Sequence, residues 1–137
     1  MANAETQRSK PRPLSPHLTI YKMLPNMLMS GLHRITGAAL YFGTLLLAWW
    51  LIAAATSPAA FDTVTWFMRS PLGLLILFGY SWALLHHMLG GMRHLIWDTG
   101  RGFNLATVDL LSWGTIIGSA CLTVLLWIVG LSMKGGL

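Results

Sequence analysis

Long apolar runs separated by short polar segments dominate this chain. The runs cover about residues 32–55, 71–97 and 107–133, and each can cross a bilayer, since about 20 helical residues span the hydrocarbon core. The segment between the first two runs, which contains Asp62 and Arg69, is predicted to be a short loop. The pattern therefore predicts an all-α integral membrane protein with three transmembrane helices.

The N-terminal part has a different pattern. Residues 1–28 contain four prolines, which prevent a continuous helix, and they are predicted to form a polar arm ahead of the membrane-spanning part, residues 29–137. No apolar stretch with a small-residue cleavage site follows the first ten residues, so no secretory signal peptide is predicted. The start is also short for a mitochondrial presequence and contains Glu5. A bacterial inner membrane is therefore favoured over a mitochondrial one.

Composition agrees with a lipid environment. The chain is 55% hydrophobic and 9% charged, whereas roughly a quarter of the residues in an ordinary soluble domain are charged. Nine Lys and Arg against four acidic residues give a net charge of +5. In a membrane protein such an excess marks the cytoplasmic loops, so nucleic acid is not an expected partner.

The basic residues also predict an orientation. Three spans place the two termini on opposite sides, with seven basic residues on the side of the N-terminus and two on the other. The positive-inside rule then places the N-terminus inside and the C-terminus outside. The seven are Arg8, Lys10, Arg12, Lys22, Arg34, Arg93 and Arg101, and the two are Arg69 and Lys134.

A polar cluster stands at the start of the first apolar run. Ser30 and Arg34 are four residues apart and share one face of a helix, with His33 beside them. The serine hydroxyl and the guanidinium fork can together hold a carbonyl or carboxylate oxygen at the edge of the hydrocarbon. The alternative is an arginine that reaches lipid headgroups beside a capping serine. The spacing leaves both interpretations open.

A second polar cluster closes the second apolar run. His87, Gly91, His94 and Asp98 lie on one stripe of a helix, and Gly90 flanks it. His87 lies about 16 Å along the axis from Asp98, well inside a core about 30 Å thick. An ionisable group at such a depth usually marks function, and neutral histidine is a common iron ligand. The two glycines would let a flat haem macrocycle lie close to the backbone.

Two adjacent histidines compete for this role. His86 and His87 point about 100° apart on a helix, so only one can serve a given haem face, and the stripe of glycine and His94 favours His87. The alternative is a buried histidine that only hydrogen-bonds a neighbouring helix. Cys121 is the only cysteine, so any haem is held without covalent links. The first and third spans offer no other buried histidine, so a second iron ligand would come from another chain.

Four basic side chains lie toward the same predicted inner side. Positive charge there could neutralise the propionates of a haem bound at His87. The four residues are His33, Arg34, Arg93 and His94.

Two gapped motifs resemble those of a known family, the cytochrome b556 subunits of succinate dehydrogenase (respiratory complex II), which are the larger of its two membrane anchors. The resemblance runs from about Arg12 to the end of the third span. One motif precedes the first span and the other closes the second. They read Arg12-Pro13-Leu14, Leu18, Pro25, Ser30, His33-Arg34 and Thr36, then His87, Gly91-Met92-Arg93-His94-Leu95, Trp97-Asp98 and Gly100.

The resemblance implies roles for individual residues. His87 would be an axial ligand of haem b, with the other ligand supplied by the second small anchor subunit. Ser30 and Arg34 would line the ubiquinone site, and His33 and His94 would lie near the haem propionates. The family pattern has no counterpart to the additional histidine that precedes the expected ligand.

The resemblance also implies the partners and the reaction. Succinate would be oxidised at a flavin in a flavoprotein subunit, and electrons would pass through an iron–sulphur subunit to quinone. This chain offers no nucleophile, phosphate loop or cysteine cluster, so it is predicted to anchor the complex and contribute to the quinone site rather than to oxidise succinate. Arg34 would stabilise charge on a quinone oxygen, and Ser30 would donate a hydrogen bond.

Three alternatives remain at this point. A fumarate reductase anchor would share the architecture and run the reaction in the opposite direction. A haem-free membrane scaffold would only dock a partner. A small transporter subunit is disfavoured because the buried polar residues are predicted to cluster at one end, with no polar path across.

Overall fold

The structure, a computed structural model, describes Pro13, His17 and residues 22–133, and this part of the chain contains four helices and no strand. The helices are α1 (Pro25–Thr56), α2 (Pro58–Arg69), α3 (Pro71–Asp98) and α4 (Leu105–Met133). Of these, α1, α3 and α4 are long and apolar enough to cross a membrane. The all-α architecture and the three spans predicted from the apolar runs are confirmed.

Two features differ from the prediction. Helix α1 begins at Pro25, inside the predicted polar arm, because the fixed φ and missing N–H of proline are tolerated in a first helical turn. The segment predicted to be a short loop is the 12-residue helix α2. Ser57 caps this helix, since its Oγ accepts a hydrogen bond from the Ala60 amide at 3.2 Å. Most of the predicted arm lies outside the described residues, as do Arg8, Lys10, Arg12 and Lys134.

A tight turn joins α3 to α4 where the sequence predicts a loop. Gly100 and Gly102 have φ values of +76° and +79°, which glycine adopts without a Cβ penalty. Trp97 donates from Nε1 to the carbonyl of Gly102 at 3.2 Å. The side chain of Asn104 then caps α4 by accepting from the Thr107 amide at 2.9 Å. These contacts hold the end of α3 beside the start of α4.

Polar side chains outnumber apolar ones among the buried residues of the described chain, by seven to four. Most large apolar side chains are exposed instead. Lipid tails can solvate that apolar surface, and polar side chains avoid hydrocarbon when they pack between helices. The seven are Thr36, His86, Arg93, Ser112, Thr115, Ser119 and Thr123.

These buried polar groups do not gather at one end, so that part of the prediction is wrong. On α4 they extend from Ser112 to Thr123, which is about 16 Å along the helix axis. Each hydroxyl of this row donates to a carbonyl in the preceding turn of α4. The row is a polar seam that packs against α3.

Candidate functional site

His87 is bound to the backbone of the neighbouring helix. Its Nδ1 lies 3.1 Å from the carbonyl oxygen of His33 on α1 and 3.4 Å from the hydroxyl of Thr36. The Thr36 hydroxyl donates to the Leu32 carbonyl at 2.8 Å, so its oxygen is available to accept. A carbonyl oxygen can only accept a hydrogen bond, so the proton of this contact must be on Nδ1 of His87.

This contact determines what the other ring nitrogen of His87 can do. With the proton on Nδ1, the neutral imidazole keeps a lone pair on Nε2. Within the described chain, Nε2 makes no hydrogen bond. A ring N–H donated to a carbonyl is the usual way in which a metal-binding histidine is oriented. With this tautomer, Nε2 is the ring nitrogen of His87 that keeps a lone pair for a metal ion.

Three histidines come together at this end of the bundle, as predicted. The rings of His33 and His87 stack with their centroids 3.8 Å apart and their planes 9° from parallel. The ring of His94 lies 5.4 Å from that of His33. Within residues 22–133, no group of three or more His, Cys, Asp or Glu side chains is arranged to hold a metal ion. The stack leaves His87 as a single candidate ligand rather than part of a histidine cage.

Glycines allow α1 and α3 to approach closely at the stack. A Cβ on Gly90 would lie 2.5 Å from Nδ1 of His33, and a Cβ on Gly37 would lie 3.0 Å from Cε1 of His87. Gly90 therefore makes room for a histidine of α1. A Cβ on Gly91 would meet nothing within 4 Å. The sequence predicts room for a macrocycle at both glycines, but the space at Gly90 is filled by His33, and only Gly91 faces open space.

His86 faces α4 rather than α1. It is 1% exposed, and its Nδ1 lies 3.2 Å from Oγ of Ser119 on α4. The Ser119 hydroxyl donates to the carbonyl of Ile116, so its oxygen accepts from the histidine. His86 is a buried histidine that hydrogen-bonds a neighbouring helix, and it is enclosed between α3 and α4 away from the stack.

Ser30 and Arg34 occupy the outer surface of α1. Both are exposed, one turn apart, and flank the half-buried His33. Neither side chain forms a hydrogen bond with another residue in the described part of the chain. Both side chains are exposed among the described residues, on the surface of α1 beside the histidine stack.

Arg93 lies at the same end of the bundle as this positive group, but its side chain turns away from it. Its side chain is 3% exposed and points toward α4, where Nη1 donates to the Ser112 hydroxyl at 3.4 Å. The guanidinium also lies 5.0 Å from the centre of the Trp97 ring. Successive residues on a helix point about 100° apart, so Arg93 faces α4 and His94 faces His33 of α1. Both side chains lie beside Trp97.

Thr36 and Gly37 both lie against His87, although the sequence predicts no separate role for either residue. Thr36 is buried and three residues after His33, so helical spacing places it on the face that carries His33. That spacing was a usable signal. Gly37 could not be identified in this way, because its role depends on where the ring of His87 lies.

Together these features define an α-helical protein with three candidate membrane spans and a histidine stack toward one end of the bundle. Residues 8–127 match the family of succinate dehydrogenase/fumarate reductase transmembrane subunits. The chain belongs to this family, and the resemblance predicted from its motifs is confirmed.

Named relatives agree with this assignment. The chain is 48% identical over 118 residues to the succinate dehydrogenase cytochrome b556 subunit of Paracoccus denitrificans, covering 86% of this chain and 91% of that protein. It is 39% identical over 117 residues to the subunit of the same name from Rickettsia felis, covering 85% and 91%. It is also 38% identical over 107 residues to the mitochondrial succinate dehydrogenase cytochrome b560 subunit of Mus musculus, covering 74% and 62%.

Replacing the hydrogen-bond partner of His86 tests its assignment as a packing residue. Ser119→Ala leaves a buried ring nitrogen without a partner, so we expect a loss of about 1–2 kcal/mol in stability. The measurement is the thermal unfolding midpoint of the purified complex in detergent. Ser132→Ala, which removes an exposed hydroxyl bonded only within α4, is the control and should leave the midpoint unchanged. Equal midpoints for both variants would contradict the assignment.

Proposed function

We propose that this chain is the membrane-anchoring cytochrome b subunit of a succinate:quinone oxidoreductase, with haem b bound at His87. Membership in the family and the cytochrome b names of its relatives support the general function. The observation that carries the haem assignment is the bond from Nδ1 of His87 to the carbonyl of His33, which leaves Nε2 for iron. The open space at Gly91 supports the same position.

The surrounding histidines fit the charged edge of a haem. His94 is exposed and His33 is half-buried, and both lie on the side of His87 that faces the end of the bundle. Their rings can donate hydrogen bonds to propionates there. Bound haem would supply a one-electron redox centre. Because the chain offers a single ligand, a second small anchor subunit would supply the other.

Ser30 and Arg34 form the part of the ubiquinone site that this chain contributes. An exposed guanidinium beside a hydroxyl can hold a quinone oxygen and stabilise it as negative charge develops. Both side chains lie about one helical turn from the histidine stack, so the quinone and the haem would be neighbours. Succinate oxidation would remain with the flavoprotein and iron–sulphur subunits.

The orientation follows from the same residues. The histidine stack, Ser30 and Arg34 would lie near the inner surface of a bacterial inner membrane, where the iron–sulphur subunit would dock. The positive-inside rule supports this placement, because seven of the nine Lys and Arg residues are predicted from the sequence to be on that side. The names of the relatives favour succinate dehydrogenase over the fumarate reductase alternative.

Replacing each of the two adjacent histidines in turn tests which one binds haem. His87→Ala should abolish or strongly perturb the b-type signal in reduced-minus-oxidised spectra of the purified complex, because the iron loses its ligand. His86→Ala should keep the signal, since that side chain faces α4. His86→Gln serves as a second control that retains a polar group next to Ser119. A signal that survives His87→Ala and disappears in both His86 variants would reverse the ligand assignment.

Removing the guanidinium of Arg34 tests the quinone assignment. Arg34→Leu should lower quinone reduction by about 10²-fold, the usual cost of losing one donor to a developing oxyanion. Succinate oxidation coupled to a soluble dye should persist, because it bypasses the membrane site. Arg69→Leu removes an exposed arginine at the other end of the bundle and should leave both activities intact. The quinone assignment is wrong if Arg34→Leu also leaves both activities unchanged.

A further inference from the structure

Arg93 has more hydrogen-bonding capacity than the bundle uses. Its guanidinium carries five N–H donors, and the described residues accept one hydrogen bond from it, at Ser112. The Nε atom is buried and has no hydrogen-bond partner among the described residues. A buried cation without a counterion is costly unless an anion completes its surroundings. Neither the histidine stack nor Ser30 and Arg34 use this side chain.

An apolar groove adjoins Arg93 between α3 and α4. Its volume is about 300 Å³, at the lower end of the range for small-molecule sites. Arg93 and Thr115 are the polar residues that line it. Gly114 has no side chain and leaves open space on the α4 side, since a Cβ there would meet nothing within 4 Å. The apolar lining includes Leu89, Met92 and Ile96 from α3 and Leu110 and Leu111 from α4.

The depth of Arg93 matches the boundary between hydrocarbon and headgroups. Helix α3 has 28 residues and is therefore about 42 Å long, about 12 Å more than the hydrocarbon core. A centred helix would extend about 6 Å beyond the core at each end. Arg93 lies five residues before the end of α3 at Asp98, or about 7.5 Å along the axis. The Cα of Arg93 would thus lie about 1.5 Å inside the edge of the hydrocarbon core, within reach of a lipid headgroup for a side chain of this length.

We propose that the groove between α3 and α4 is a binding site for one anionic phospholipid, with the phosphate at Arg93 and part of an acyl chain along the leucine-lined wall. The charge of Arg93 is complementary to a phosphodiester, and its planar fork matches phosphate oxygens. The apolar lining is continuous with exposed leucines on both helices. The site lies on the face of α3 that turns toward α4, away from His87, so it is separate from the haem and quinone residues.

Lipid retention by the intact complex tests this proposal. The complex is delipidated in detergent, reconstituted into nanodiscs with equal amounts of phosphatidylglycerol and phosphatidylcholine, and analysed by native mass spectrometry for retained lipid. Wild type should retain phosphatidylglycerol in preference. Arg93→Gln should lower that preference by about tenfold, the effect of losing a charge-assisted hydrogen bond. Arg101→Gln, an exposed arginine of the following turn, should not change it.

If the complex with Arg93→Gln does not assemble, a variant that fills the groove provides a second test. Gly114→Leu should fill the groove and displace the lipid while Arg93 remains. Gly130→Leu is the matched control on the same helix, since a Cβ there also meets nothing within 4 Å and it does not line the groove. Retention of both lipids in equal amounts by wild type, as expected if another subunit covers the groove, would overturn the proposal. Undiminished phosphatidylglycerol preference in Gly114→Leu would overturn it as well.

Discussion

The arrangement of the site depends on one hydrogen bond between helices, from Nδ1 of His87 to the main-chain carbonyl of His33. In the hydrocarbon region no water can replace a lost partner, so a polar contact of this kind must be made within the protein. The bond determines the tautomer of His87 and the direction of its ring. It also brings α1 and α3 close enough that Gly37 and Gly90 are needed at the crossing. Every further statement about His87 as an iron ligand follows from this contact.

Helix α3 packs against α1 on one face and against α4 on another, and the two faces carry different side chains. Its face toward α1 carries His87, and the adjacent His86 points to the polar seam of α4, so one residue of sequence separates a candidate ligand from a packing residue. Arg93 and His94 are divided between the same two faces. The helix therefore has the candidate haem ligand on the side toward α1, and a buried cation with its own groove on the side toward α4.

The three spans could be predicted because apolar runs of this length have few other uses, and the motifs around Ser30 and His87 were sufficient to identify the family. Helix α2 could not be predicted in this way, since 12 residues containing Asp62 and Arg69 have no long apolar run. From the sequence, the choice between His86 and His87 depends on the other residues of the same helix. The structure distinguishes the two histidines by the neighbouring helix that each one faces. The direction of the Arg93 side chain could not be predicted for a related reason, because proximity along the chain does not show which neighbour a side chain contacts.

The most direct test of the account is an experimental structure of the assembled complex that resolves the iron ligands. The account predicts a bond from iron to Nε2 of His87, with Nδ1 of the same ring still about 3.1 Å from the carbonyl oxygen of His33. An iron bound to His86, or to Nδ1 of His87 with the contact to His33 broken, would contradict it.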